Sequence, residues 1–294
     1  MSDPTIRVGL VQMACGADRD EIRDRAERHV REAAAAGAQI VCLQELFDAT
    51  YFPQEVDVER YALAEPLPSP TTERFGRLAA ELGVVVIVPI YEEERPGVYF
   101  NSVVVIDADG STVGKYRKTH IPDGPQYHEK FYFTPGDLGY KVFPTKFGVL
   151  GVAICWDEWF PEVARVMSLM GAEILFYPSA IGSEPDEPDL STAEAWRTAI
   201  RAHAIHNGVF VAAVNRVGVE RDMTFYGQSF IGGPLGELLA EGDDQPGTVT
   251  ADVDLAQIRK ARNLLHFLRD RRIDTYGPLL ERLIDPPGGD GGGA

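Results

Sequence analysis

Short apolar runs of strand length alternate along this chain with amphipathic stretches of helix length, and this alternation limits the fold more than any other feature. The run Ile40-Val41-Cys42-Leu43 is apolar throughout, as a strand buried on both faces must be. Val84 to Ile90, Val149 to Ile154, Glu173 to Tyr177 and Val209 to Val214 read as further strands, and Thr5 to Met13 opens with Ile6, Val8 and Leu10 in alternation. Between them, Asp20 to Ala36 places Ile22, Ala26, Val30 and Ala33 on one helical face and stops at Gly37. Ser69 reads as the N-cap of a second helix, with Pro70 at its first position, Phe75, Leu78, Ala79 and Leu82 as its apolar stripe and Gly83 as its stop. Pro161 to Met170 and Ser191 to Asn207 read as helices too.

Phe100 to Ile106 and Ser111 to Tyr116 flank the turn Asp107-Ala108-Asp109-Gly110, so a hairpin is expected and a purely parallel sheet is not. Gln228 to Ile231, Glu237 to Ala240 and Thr248 to Val253 read as later strands, and Asp254 to Leu283 as a polar helical region with a few apolar anchors. Residues 1–283 show no linker and no repeat of fixed period, which predicts one α/β domain with sheets covered by helices. Residues 284–294 read as a Gly-rich disordered tail.

The formal charge of −17 repels phosphate backbones and argues against nucleic acid as a partner. The three cysteines, Cys15, Cys42 and Cys155, form no C-x-x-C pair, which points to a reducing compartment. No apolar run approaches a membrane span, and the first ten residues carry no leader pattern, so a cytoplasmic location without membrane contact is expected.

Three polar residues stand where strands end: Glu45 after Ile40 to Leu43, Lys118 after Val113 to Tyr116, and Cys155 after Gly151 to Ile154. Strand ends are where layered α/β folds build their sites. Cys155 also sits between a strand and a helix start, where backbone N–H groups can hold an oxyanion. Cys15 and Cys42 read as buried and inert.

The segments Leu43-Gln44-Glu45-Leu46-Phe47, Tyr116-Arg117-Lys118-Thr119-His120-Ile121-Pro122 and Gly151-Val152-Ala153-Ile154-Cys155-Trp156-Asp157 resemble, in order, the three signature segments of the nitrilase superfamily. Val8 to Met13 and Val214-Asn215-Arg216-Val217-Gly218 also look like family segments, and the resemblance runs from about Thr5 to Leu283. It implies a four-layer αββα sandwich that associates into homo-oligomers. It implies Cys155 as nucleophile, Glu45 as proton acceptor and Lys118 as oxyanion partner together with the backbone N–H of Trp156. Glu129, in His128-Glu129-Lys130-Phe131-Tyr132-Phe133, matches the family's second glutamate, which would position Lys118. These types suit the chemistry, because an amide or ureido carbon needs a strong nucleophile, a proton acceptor and charge stabilisation. No metal or other cofactor is required; His203 and His206, spaced i, i+3, lack a third ligand.

Within that superfamily the chain looks most like the N-carbamoylputrescine amidases, in Ala153 to Glu162, Tyr177 to Pro185 and Lys130 to Asp137. The implied reaction converts N-carbamoylputrescine and water to putrescine, ammonia and carbon dioxide. Such a small cationic carbamoyl-amine substrate needs carboxylates or aromatic faces at its far end, and Glu184, in an acidic loop, is the candidate. His120 and His128 flank the Lys118 and Glu129 segments and are candidates for lining the pocket or bonding the carboxylates. Trp196 and Tyr51 read as core or oligomer contacts, and Ser229 is left open between cavity and core.

The rival substrates are N-carbamoyl amino acids, of β-ureidopropionase or D-carbamoylase type, which need a cationic clamp. The D-carbamoylases carry arginines soon after the cysteine, where this chain has Asp157-Glu158-Trp159; Arg165 or Arg197 would have to serve instead. Acyl transfer to an amine, and a non-catalytic binding protein on the same fold, stand as further alternatives.

Overall fold

The computed structural model describes residues 5–284, so the expected tail lies, from residue 285 on, outside the described residues. In chain order the elements are β1 (Thr5–Gln12), α1 (Arg19–Ala35), β2 (Ile40–Leu43), α2 (Pro70–Leu82), β3 (Val85–Arg95), β4 (Val98–Ile106) and β5 (Thr112–Arg117). Then come α3 (Glu129–Tyr132), β6 (Val142–Thr145), β7 (Gly148–Val152), α4 (Pro161–Leu169), β8 (Ile174–Pro178), α5 (Ala193–Asn207) and β9 (Phe210–Val214). The last are β10 (Val217–Glu220), β11 (Met223–Tyr226), β12 (Phe230–Gly232), β13 (Leu238–Glu241), β14 (Gly247–Asp254) and α6 (Ala256–Leu264).

Two six-stranded mixed sheets result, ordered β14-β1-β2-β3-β4-β5 and β13-β12-β9-β8-β7-β6, with β10 and β11 as a separate hairpin. The parallel strands β1, β2 and β3 lie inside the first sheet, and β7, β8 and β9 inside the second. Ile6, Val8, Leu10, Ile40 and Cys42 of the first sheet share one core with Leu150, Val152, Ile174 and Phe176 of the second. That core continues through Val163 and Met167 of α4 and Trp196 and Ile200 of α5. The opposite face of the first sheet, with Val11, Val41 and Leu43, packs on Ile22, Ala26, Val30 and Ala33 of α1 and Phe75 and Leu78 of α2. The architecture is therefore the expected four-layer αββα sandwich. Each fully buried aliphatic or aromatic side chain contributes about 1.5–3 kcal/mol, which makes the interface between layers the main source of cohesion.

The helix signals work as their chemistry dictates. Asp18 accepts from the amides of Asp20 and Glu21 at the start of α1. Ser69 and Thr72 form a reciprocal capping box on α2, which ends at Gly83 with φ +68. The final region differs from its expectation. Only α6 is α-helical there, followed by short 3₁₀ turns at Ile273–Thr275 and Gly277–Leu280. The region's buried apolar anchors are Leu255, Ile258 and Ala261, whereas Leu264, Ile273, Leu279, Leu280 and Leu283 are exposed in the chain by itself. Without a buried face, an isolated short helix does not outweigh its conformational entropy. The strands β6, β10 and β11 are additions to the sequence reading; they are short, and their pairing partners are chosen by the fold.

Candidate active site

The three polar strand ends converge. Glu45 stands two residues past β2, Lys118 directly past β5, and Cys155 opens a 3₁₀ turn, Cys155–Trp159, just past β7. Lys118 Nζ donates to Glu45 Oε1 at 2.8 Å and to Glu129 Oε2 at 2.6 Å, and all three side chains are fully buried. Burial alone would push the Lys118 ammonium down, but Glu129 and Glu45 outweigh it and hold the group well above the usual lysine range. Glu129 goes the other way: burial, with Glu45 nearby, raises its carboxyl against the pull of Lys118. The Lys118 backbone is clamped as well. Its carbonyl accepts from the Gly136 amide at 2.8 Å, and a Cβ on Gly136 would lie 2.2 Å from the Arg117 carbonyl oxygen, so only glycine fits there.

Cys155 has φ +45, a conformation that costs a non-glycine residue energy and is held by its surroundings. Asp157 supplies much of that support. Its carboxylate accepts from the Ile154 amide, the Tyr116 hydroxyl and the His120 amide, at 2.8–3.1 Å. Burial raises the Cys155 thiol well above its usual range, with Glu45 adding to this and Lys118 opposing it. The resting group is a thiol, and it becomes a nucleophile by passing its proton to a neighbour as it attacks. Glu45 suits that role: Oε1 is occupied by Lys118 and by Asn101 Nδ2 at 2.7 Å, while Oε2 is buried with no partner among the described residues.

Cys155 lines a cavity of about 370 Å³ together with Trp156, Trp159, Tyr127, Ile181 and Glu184. Asp123 and Thr192 lie at the same cavity, and among the described residues lining it there is no arginine or lysine. Among the described residues no group of three or more His, Cys, Asp or Glu side chains is placed to hold a metal ion. Beside the Cys155 thiol on the cavity wall, the constellation offers a carboxylate with an unpartnered oxygen and an ammonium held by two carboxylates, a set suited to acyl transfer at a carbon–nitrogen bond.

The carbon-nitrogen hydrolase family pattern matches residues 7–263, nearly the whole described chain. The chain is a carbon-nitrogen hydrolase. The hydrolase is 50% identical over 283 residues to an Arabidopsis thaliana protein named N-carbamoylputrescine amidase, covering 93% of this chain and 94% of the relative. It is 39% identical to a citrullinase of Francisella tularensis, covering 94% and 99% of the two chains. In three dimensions it superimposes on the crystal structure of a carbon-nitrogen hydrolase from Helicobacter pylori G27 with a TM-score of 0.91, at 42% identity, over 96% of this chain and 100% of that one.

Of the residues singled out in the sequence, the hydrolase brings Glu45, Lys118, Glu129 and Cys155 together and puts Trp156 and Glu184 on the cavity wall. His120 is directed elsewhere: its Nδ1 is 2.7 Å from Asp157 Oδ1 and its ring stacks on Phe160. It supports the cysteine turn through Asp157. His128 is half-exposed, with its Nδ1 4.0 Å from Asp123 Oδ1. Ser229 is buried against Gln12 and the Asn215 amide, away from the cavity. Trp196 belongs to the core, whereas Tyr51 is a site residue, its hydroxyl on Glu129 Oε1. Cys42 is buried as read, but Cys15 is only partly covered, its Sγ donating to the Phe47 carbonyl. Asn101 and Tyr51 carry no local pattern that marks them, because each reaches the site across the fold.

Proposed function

We propose that this hydrolase cleaves N-carbamoylputrescine to putrescine, ammonia and carbon dioxide through a thioester on Cys155. The observation that carries the reading is the cavity at Cys155, which sets two carboxylates, Glu184 and Asp123, among aromatic walls. An ammonium at the far end of the substrate gains a charge partner there and aromatic faces beside it. Burial raises the Glu184 carboxyl, and a cationic guest would favour its ionised form. The named relatives at about half identity support the same substrate.

In this mechanism the Cys155 thiol passes its proton to Glu45 Oε2 as sulfur attacks the ureido carbon. The tetrahedral oxyanion is held by the Lys118 ammonium and the Trp156 backbone N–H. The adduct collapses by expelling one nitrogen, protonated by Glu45. Glu45 then takes a proton from water as the water attacks the thioester, and Cys155 leaves as the thiol. The released carbamate loses carbon dioxide and frees the second nitrogen. Glu129 keeps Lys118 aimed at the oxyanion.

The carboxylate-substrate alternatives find no clamp in this cavity. Arg197 is engaged by Glu241, and Arg165 lines a different cavity with His203 and His206. The deciding experiment measures ammonia release from N-carbamoylputrescine, citrulline, N-carbamoyl-β-alanine and a carbamoyl-D-amino acid, for wild type and Cys155→Ala. Release from carbamoylputrescine that vanishes in the variant is the expected result. Preferred turnover of an amino-acid substrate would retain Cys155 and sink the Glu184 assignment; residual turnover by the variant would sink the thioester.

A further inference from the structure

The segment Val214-Asn215-Arg216-Val217-Gly218 has no part in the chemistry above, yet it contains a charged side chain with no exposure at all. The Arg216 guanidinium donates from Nη2 to the Glu45 carbonyl at 3.1 Å and the Leu46 carbonyl at 2.8 Å. From Nη1 it donates to the Ala49 carbonyl at 3.0 Å and to Glu220 Oε1 at 2.7 Å. Three carbonyls of the turn that presents Glu45 thus point at one cation. Leu46, the residue after Glu45, has φ +47, and a branched side chain keeps that conformation only where its neighbours over-determine it.

The second arm leads to the other carboxylate. Glu220 Oε2 accepts the Tyr51 backbone amide at 2.5 Å, and the Tyr51 hydroxyl donates to Glu129 Oε1 at 2.6 Å. Since Lys118 bridges Glu129 and Glu45, the contacts close into a ring: Arg216, Glu220, Tyr51, Glu129, Lys118, Glu45 and back to Arg216. A buried carbonyl that loses its donor is costly, so the turn has one favoured arrangement while the guanidinium is present.

We propose that Arg216 and Glu220 are positioning residues of the hydrolytic site, setting the separation of the Glu45 and Glu129 carboxylates around Lys118. They touch neither substrate nor reacting atoms and act through the Glu45–Leu46 backbone and through Tyr51. The proposal rests on Glu45 being the proton acceptor. It predicts that a lysine at 216 is no substitute, because an ammonium has no rigid fork of donors to span three carbonyls and a carboxylate.

The test uses Glu220→Gln, Arg216→Lys and Arg216→Ala, each checked for folding by circular dichroism and for its content of titratable Cys155. Glu220→Gln keeps the shape and one acceptor, enough for the Tyr51 amide, but turns an uncharged NH2 donor toward Arg216; as the smallest change of the three it is the variant expected to fold. Two readouts are taken. The first is kcat and KM on N-carbamoylputrescine. The second is the pH profile of Cys155 alkylation by iodoacetamide, located by peptide mass, which needs no knowledge of the substrate. Expected are a fall in kcat on the order of 10- to 100-fold with KM little changed, as for a sub-ångström to ångström misplacement, and a displaced alkylation profile. Added guanidinium should restore part of both in Arg216→Ala. Wild-type kcat and alkylation profile in folded Glu220→Gln and Arg216→Lys would overturn the proposal. So would a loss accounted for wholly by a smaller fraction of titratable Cys155. A wild type inactive on N-carbamoylputrescine would sink the substrate assignment instead, and the alkylation profile would still decide for or against positioning.

Discussion

The Tyr51 hydroxyl donates to Glu129 Oε1 across 2.6 Å, in a site where both side chains are buried. With Lys118 on the other oxygen, Glu129 is held from two sides, and its own hold on the ammonium is directional. A hydrogen bond to a charged group contributes about 1.5–3 kcal/mol, and each 1.4 kcal/mol is tenfold in rate or affinity. Tyr51→Phe is therefore expected to lower kcat roughly 10- to 100-fold while KM stays near its wild-type value. Steady-state kinetics decide it; an unchanged kcat would mean that Lys118 alone orients Glu129.

Glu184 faces the same cavity as Cys155 but lies outside the polar ring. In the proposed reading it binds the distal ammonium, so Glu184→Gln should raise KM for N-carbamoylputrescine and lower kcat/KM roughly 10- to 100-fold, the worth of one charge-assisted contact. The neutral analogue N-carbamoylbutylamine supplies the control. It should be a poor substrate for wild type and respond little to the variant. If both substrates lose activity equally, Glu184 acts on the cavity wall and not on the charge.

Glu158, within the cysteine turn, is fully buried, its carboxyl 2.7 Å from Ser179 Oγ. Burial raises this carboxyl well above its ordinary range, against the Ser179 bond, with Glu45 adding to the rise. A raised acid contributes stability at low pH and loses it as pH climbs, because the unfolded chain gains by ionising. Glutamine reproduces the neutral acid in shape and does not ionise. Glu158→Gln should thus match wild type near pH 4 and become progressively more stable above it, by up to about 1.4 kcal/mol per pH unit. Thermal unfolding from about pH 5 to pH 8 measures this. A gap that narrows with rising pH would show Glu158 to be held as the carboxylate.

Beyond α6 the chain presents Leu279, Leu280 and Leu283 to solvent, and α4 presents Leu169 and Met170. Large apolar side chains left exposed in such number point to association. We infer that the hydrolase self-associates, and sedimentation at micromolar concentration is expected to find it larger than a 32.3 kDa monomer. Replacing Leu280 and Leu283 together by aspartate should shift it toward smaller species; a wild-type monomer would refute the inference.

Among the described residues no helix is long and apolar enough to cross a membrane, in line with the absence of a long apolar run in the sequence. Much of the architecture was legible in the same way, because periodicity and punctuation are local. Ser69, Pro70 and Gly83 bound α2 with chemistry contained within a few residues, and Ile40 to Leu43 declares a buried strand by composition alone. The order Glu45, Lys118, Cys155 at three strand ends was readable too, since each stands beside a recognisable apolar run. What only the tertiary structure decided are relations between distant segments. Tyr51 reaches Glu129, Asn101 reaches Glu45 and Arg216 reaches the Glu45 turn, across 78, 56 and 171 positions of chain. The partner of His120 is set in the same way: Lys118, two residues before it, turns inward while the His120 ring turns to Asp157. A side chain's partner is set by which strands lie side by side and which way each residue faces, and buried polar groups take whatever complement the packing brings within reach.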